Sequence, residues 1–344
     1  MQELSLFRIT GQPDDIGYRL GELARPVMTA YLQQSAAWQR VSQWRGHPFV
    51  KSLRLAAEAH FPALVAELDG MAAGLGWSVD DVFLWNCRGE LIHHAPDGCT
   101  TLAAASGHAR FIAHNEDGDP YLQSRCFLVD VQPAGKPGFV SFYYPGSLPG
   151  HTFAASRAGL VQAINNLRIC VPAAGVPRMM LARAVLDTTS LDEAVELLRE
   201  VPRASGFHHT LGCAGDTRLL SIEATVQRCS VVAGTTLSGH ANHLIHPGCA
   251  AEAQIVTDSS RDRQARVDVL LPALRTPVTA DALLRVLHDR APAGLPIYRD
   301  DPADPDGENT LATALFRIEE DGVAIQVYRQ GHCAFDTFIP QATR

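Results

Sequence analysis

The spacing of apolar residues switches from helical to strand-like at Gly98-Cys99, and this switch constrains the fold more than any other feature of the chain. Before it, Ile16, Leu20, Leu23, Val27 and Tyr31 recur at helical intervals and predict a helix over 14–34. A second helix is predicted over 50–75, where Phe61, Leu64, Leu68, Met71 and Leu75 form one apolar stripe that Gly74 and Gly76 end. A third, over 79–91, carries Val82, Phe83, Trp85 and Leu91 ahead of the polar loop His93-His94-Ala95-Pro96-Asp97. Beyond Cys99, short β-type runs over 101–105, 110–114, 126–132, 139–144, 151–155 and 160–164 are separated by Gly, Pro and Asp turns. Helical spacing returns over 177–200, with Ser190 and Glu193 as a capping box, and strands resume across 209–243. Two helices at 259–272 and 280–289 and strands over 310–338 close the chain, and the Pro/Asp-rich piece 291–309 reads as a long surface loop. Blocks of strands alternating with blocks of helices imply a layered α+β architecture rather than a repeating βαβ unit.

Composition narrows the function classes. A chain of 344 residues with 46% hydrophobic content can bury a large core. Its net charge of -8, with no Lys/Arg cluster to neutralise a row of phosphates, argues against a nucleic-acid partner. No apolar run approaches the ~20 residues needed to span a bilayer. Residues 1–13 lack a basic start followed by an apolar stretch, so no export signal is expected. The eight cysteines are scattered without a CxxC pair, which reads as reduced thiols in a cytoplasm.

The chemistry-bearing residues lie around and after the switch. Gly98 lets another group approach its carbonyl, and Cys99 supplies a small nucleophile, a combination suited to self-cleavage of the peptide bond between them. Cleavage would give Cys99 a free α-amine, whose pKa of roughly 7.7–8.0 suits a general base near neutral pH. Taken alone, Cys99 is one ordinary buried thiol among eight, so the case rests on its neighbours. The segment His114-Asn115-Glu116-Asp117-Gly118-Asp119 ends a strand that a turn at Ser106-Gly107-His108 would pair with the Cys99 strand. That hairpin returns Asp117 toward Cys99, where a carboxylate can orient an ammonium; a plain acidic turn loop is the competing reading. Asn165-Asn166 closes another apolar run and offers substrate-side amides, and Asn242 can donate to an oxyanion. His240, His243 and His246 are the alternative, a metal-assisted hydrolase, although a spacing of three needs a turn before they converge. His93-His94 and His208-His209 are equally available to a Cys–His mechanism, with nothing in the spacing to choose between them.

Together these residues resemble the autoproteolytic acyltransferases and amide hydrolases related to acyl-coenzyme A:isopenicillin N acyltransferase, of the N-terminal-nucleophile hydrolase superfamily (peptidase C45-like). The resemblance covers most of the chain. It runs through Gly17-Tyr18-Arg19-Leu20-Gly21, Glu67-Leu68-Asp69-Gly70-Met71-Ala72-Ala73-Gly74 and Trp85-Asn86-Cys87-Arg88-Gly89-Glu90. It continues through Gly98-Cys99-Thr100-Thr101, Asn115-Glu116-Asp117, Asn242-His243 and Ser259-Ser260-Arg261. It implies a four-layer αββα sandwich and a zymogen cut into residues 1–98 and 99–344 that stay together as one unit. It further implies Cys99 as nucleophile, Asp117 as its carboxylate, Asn242 as the oxyanion amide, and Asn166, Asn115 and His114 on the substrate side. No cofactor is implied, and the expected partners are a small acyl amide or acyl-thioester and the chain's own cleaved 1–98 piece; a homo-oligomer is left open. The sequence departs from the pattern at Glu116, where an aromatic is common, and at His114, where bile-salt-cleaving members carry Arg. A downstream Arg that some members place near the nucleophile has no assignment from sequence, and a non-catalytic ligand-binding relative is the remaining rival reading.

Overall fold

The computed structural model describes residues 4–92, 98–106, 109–233 and 236–342. His93, His94, Gly107 and His108 lie outside the described residues. The amino-terminal helices are α1 (Pro13–Gln34), α2 (Ala36–Val41), α3 (Pro48–His60), α4 (Pro62–Leu75), α5 (Val79–Asn86) and α6 (Arg88–Leu91), preceded by strand β1 (Leu6–Gly11). Strands β2 (Cys99–Ser106), β3 (Ala109–Gly118), β4 (Phe127–Pro133), β5 (Phe139–Tyr143), β6 (Phe153–Ser156) and β7 (Leu160–Leu167) follow. Helices α7 (Arg178–Val185) and α8 (Leu191–Glu200) lead into β8 (Gly206–Cys213), β9 (Leu219–Ala224), β10 (Cys229–Ala233) and β11 (Leu237–His240). The chain closes with α9 (Asp258–Leu270), α10 (Ala280–Leu287), β12 (Asn309–Ile318), β13 (Gly322–Arg329) and β14 (His332–Pro340).

The strands form two sheets, ordered β1-β4-β5-β6-β7-β8-β9-β10 and β11-β2-β3-β12-β13-β14. Their apolar faces meet, with Phe153 of the first sheet edge-on to Phe316 of the second at 6.1 Å. On the outer face of the second sheet, Leu102, Ala104 and Ala113 pack against Val267 of α9 and Leu283 and Leu287 of α10. On the outer face of the first, Ile164 and Phe207 pack against Met179 and Ala182 of α7, while α1 lies against β1 and β4 and pairs with α4. The result is the four-layer αββα sandwich.

Helices α1 and α4 approach so closely that only glycine fits between them. A methyl group built on Gly17 would fall 1.8 Å from the Glu67 carbonyl oxygen, and one on Gly74 would fall 2.0 Å from that of Tyr18. The two Gly-rich motifs near the start of the chain thus meet one another. The motif around Trp85-Asn86 locks the helical part to the strands. Asn86 donates to the Gly146 carbonyl and accepts from the Leu148 amide, and Glu90 accepts from the Arg178 amide.

The structure corrects several boundaries. The helix expected over 50–75 breaks at Phe61 (φ -137°, ψ 59°), because a residue preceding proline is pushed out of the α region and Pro62 begins a new helix. The helix over 79–91 is interrupted at Cys87, and that over 177–200 is split between α7 and α8. Strand β1, parallel to β4, carries little apolar alternation and escapes sequence reading. The piece 291–309 is not merely a surface loop, since Ile297, Tyr298, Arg299 and Glu308 are buried.

Overpacking a close helix pair costs about 1–3 kcal/mol or more when the obstacle is backbone. Gly17→Ala and Gly74→Ala are each expected to lower the unfolding free energy from chemical denaturation by that amount, whereas Gly248→Ala, whose methyl meets nothing nearer than Ser230 Oγ at 3.5 Å, should be milder.

Candidate active site

Pairing of β2 with β3 sets the site. Cys99 opens β2 directly across from Glu116 on β3. Because side chains alternate along a strand, His114 and Glu116 share the face toward the other sheet, and Asn115 and Asp117 share the opposite face. His114 lies against Phe153. Asn115 is held by the outer layer, donating to the Leu287 carbonyl and accepting from Thr313.

The peptide bond between Gly98 and Cys99 is gripped at both ends. The Cys99 amide donates to Asn242 Oδ1 at 2.8 Å, and the Asp117 amide donates to the Gly98 carbonyl at 2.8 Å. Gly98 is required by crowding, as a methyl there would lie 2.5 Å from Glu308 Oε2, an atom that Arg299 holds. The Cys99 thiol reaches Glu116 Oε2 at 3.6 Å. That oxygen also lies 3.0 Å from His114 Nε2, and Tyr144 donates to Glu116 Oε1. A cleft opens on this group, lined by Cys99, Glu116, Tyr144, His151, Asn166 and Phe207 among others. Asn166 Oδ1 is buried there with no partner among the described residues.

Behind the peptide sits a cation that sequence reasoning missed. Arg263 of α9, 1% exposed, donates to the Cys99 carbonyl, to Thr100 Oγ1 and to Asn242 Oδ1. Asn242 Nδ2 in turn donates to the Asn166 carbonyl. Asp117 accepts from Thr310 Oγ1. Burial raises the Asp117 pKa, opposed by the positive charges of Arg263 and Arg299. Burial also pushes Glu308 up to about 7 against the pull of Arg299, and lowers His114 to about 3, so its ring is neutral. Helix α9 turns Ser259, Ser260, Arg263 and Gln264 inward, and the i, i+4 polar pair Ser259–Arg263 in the chain is the one signal that could have found this arginine.

The structure therefore puts Cys99 and Asn166 on one cleft, with buried Asn242 hydrogen-bonded to both and buried His114 reaching them only through Glu116; it sets the Asp117 amide on the Gly98 carbonyl and leaves Asn115 in the outer layer. The three histidines of the metal alternative do not converge. His240 Nε2 meets Glu223, His246 Nε2 meets Ser221, and His243 Nδ1 meets Ser260. His208 stacks on His240, and His209 meets Gln162, so both are engaged away from Cys99.

Removing one partner from a buried, charge-bearing network costs about 3–5 kcal/mol, because the other is left uncompensated. Arg263→Met is expected to destabilise by that amount, and a double-mutant cycle with Asp117→Asn should recover part of it, as measured by denaturant unfolding.

Residues 104–331 match the family described as acyl-coenzyme A:6-aminopenicillanic acid acyl-transferase. The beta-alanyl-dopamine/carcinine hydrolase of Drosophila melanogaster is 29% identical over 161 residues, 41% of this chain and 41% of its own length. The chain thus spans less than half of that relative. Among solved structures, a mutant conjugated bile acid hydrolase from Clostridium perfringens overlaps with a TM-score of 0.43 at 11% identity, covering 70% of this chain and 92% of its own. A penicillin V acylase from Agrobacterium tumefaciens overlaps with a TM-score of 0.41 at 12% identity, covering 66% and 82%. The family match takes in two thirds of the sequence, including Asp117, Asn166, Asn242 and Arg263, and the chain belongs to the acyl-coenzyme A:6-aminopenicillanic acid acyl-transferase family.

Proposed function

We propose that the protein is a self-processing cysteine amide hydrolase or acyltransferase that works through an acyl-Cys99 intermediate. The observation that carries this reading is the gripped peptide: the nucleophile sits at the first residue of a strand, with the preceding carbonyl held by the Asp117 amide and its own nitrogen held by Asn242. The family is described as an acyl-transferase, and one relative is named a hydrolase of beta-alanyl-dopamine and carcinine, which supports this reading.

In processing, the Cys99 sulfur attacks the Gly98 carbonyl carbon, and the Asp117 N–H faces the oxygen that becomes negative. The Cys99 nitrogen is an amide at this stage and has no basic lone pair. Glu116 Oε2, 3.6 Å from the sulfur, is the group we assign to receive the thiol proton, the proton it already shares with His114 passing to Nε2, 3.0 Å away. The C–N bond breaks as the nitrogen gains a proton, leaving a thioester between Gly98 and Cys99 that water hydrolyses. Residues 1–98 and 99–344 then form one two-chain unit.

In turnover the freed α-amine of Cys99 takes the thiol proton, held by Asn242 Oδ1 where the amide was held before. The thiolate attacks a substrate carbonyl, the amine returns the proton to the leaving nitrogen or sulfur, and water or an acceptor amine resolves the acyl-enzyme. Asn242 Nδ2 is the proposed oxyanion donor; its bond to the Asn166 carbonyl is one that a substrate oxygen must share or displace. Asn166 and the cleft's apolar residues face the acyl group, and His114 acts on it only through Glu116. The substrate is a small acyl amide or acyl-thioester, and β-alanyl amines, penicillins and acyl-thioesters are the compounds to assay first. No helix among the described residues is long and apolar enough to cross a membrane, and we place the protein in the cytoplasm, where its thiols stay reduced.

Denaturing mass spectrometry is expected to show two chains, cut between Gly98 and Cys99, for the wild type and one full-length mass for Cys99→Ala. A single mass for fresh, active wild-type protein would overturn the processing step, and normal turnover by Cys99→Ala would overturn the nucleophile. On the best substrate found, Asn242→Ala should lower kcat about 10²–10³-fold, the usual loss for one oxyanion donor.

A further inference from the structure

The hydrogen bonds around His114 can be counted proton by proton, and the count turns on what lies between Nε2 and Glu116 Oε2. The amide nitrogen of Asn165 donates to the His240 carbonyl at 3.0 Å, which fixes the side chain and turns Oδ1 toward Thr101. Thr101 gives its only hydroxyl proton to that oxygen at 2.7 Å. His114 Nδ1, 2.8 Å from the same hydroxyl, must therefore be the donor to it. A neutral imidazole with its proton on Nδ1 presents a lone pair at Nε2. That lone pair faces Glu116 Oε2 at 3.0 Å, and the Cys99 sulfur stands 3.6 Å from the same oxygen. Three donor atoms of three different kinds converge, all within 4.8 Å of one another and all on buried residues. Two lone pairs at 3.0 Å repel unless a cation lies between them, either a proton or a metal ion.

We propose that Cys99 Sγ, His114 Nε2 and Glu116 Oε2 form a binding site for one thiophilic divalent cation, Zn²⁺ by its chemistry, seated on the nucleophile itself. Zinc takes thiolate, imidazole and carboxylate ligands at about 2.3, 2.0–2.1 and 2.0–2.2 Å. Tetrahedral angles at those lengths separate nitrogen from oxygen by about 3.3 Å and sulfur from oxygen by about 3.5 Å. The observed 3.0 and 3.6 Å lie within a few tenths of an ångström of these values. Thr101 fixes the ring of His114 from behind, and Tyr144 holds the second carboxylate oxygen, so both ligands have the outer support that orients a metal site. Cys99 and Glu116 line the cleft, which is the route by which an ion would reach the site. Binding displaces the thiol proton and the proton shared between Glu116 and His114, and releases both to solvent.

Such an ion does not drive the reaction proposed above. It occupies the sulfur lone pair that must attack carbon, so it arrests both processing and turnover until it leaves. This consequence rests on the self-processing reading, but the binding itself does not.

The test is titration of the reduced wild-type protein, as purified and whether cut or not, with zinc chloride by calorimetry, and with Co²⁺ followed by the thiolate-to-cobalt charge-transfer band in the near ultraviolet. One ion per chain is expected, with affinity weakened at least tenfold in His114→Gln and in Glu116→Gln and the charge-transfer band lost in Cys99→Ser. Zinc should stop wild-type self-cleavage, and a chelator should restore it. One-to-one binding unchanged in both His114→Gln and Glu116→Gln would place the ion on other groups and overturn the proposal, as would no binding by the wild type. Thermal unfolding of each variant separates lost ligation from lost fold. If the wild type binds the ion as expected but is never cut, the site stands and the self-processing reading fails.

Discussion

One buried guanidinium holds the surroundings of the nucleophile together. Arg263 reaches the carbonyl of Cys99, the hydroxyl of Thr100 and the amide of Asn242, which in turn holds the Cys99 nitrogen. A full positive charge in this setting is tolerable only because it lies near the Asp117 and Glu308 carboxylates and satisfies several acceptors at once. The strand pairing that places Glu116 and Asp117 around Cys99, the turn after β11 that carries Asn242, and helix α9 all converge on it. Without that charge, the loops and strand ends around Cys99 would have no common anchor.

The layered order of the fold was legible because strands and helices alternate in blocks, and apolar periodicity reports blocks well. It fails where a single backbone event overrides it. Pro62 cuts one apolar stripe into two helices, and β1 pairs at a sheet edge with residues that are mostly not buried and do not alternate cleanly. The site was legible in part for a similar reason. Cys99, Asp117 and Asn242 stand at strand ends and in a following turn, where polar residues draw notice, and hairpin register brings the first two close.

Arg263 and Arg299 were hidden for the opposite reason. Helix α9 buries a polar stripe instead of an apolar one, so its inward face has no amphipathic signature. Arg299 and Glu308 come from a Pro/Asp-rich segment whose composition signals solvent, while their mutual charge pairing lets them fold inward. Glu116 stood out in the sequence only as a departure from a family pattern. Its meaning lies in register, since one residue's slip would turn it away from the thiol altogether.

Strand β1 has a consequence for the fate of a cut molecule. It belongs to residues 1–98, yet it is hydrogen-bonded along its length to β4 at the edge of the larger sheet, and Asn86 and Glu90 clasp segments far downstream. A break before Cys99 therefore turns what was folding within one chain into assembly of two. Loop closure, which cost the precursor a modest entropy, becomes a bimolecular encounter that dilution opposes. The cut protein would hold together while folded, but a molecule that unfolds would lose its other half, making its lifetime a matter of how slowly it opens rather than of equilibrium stability.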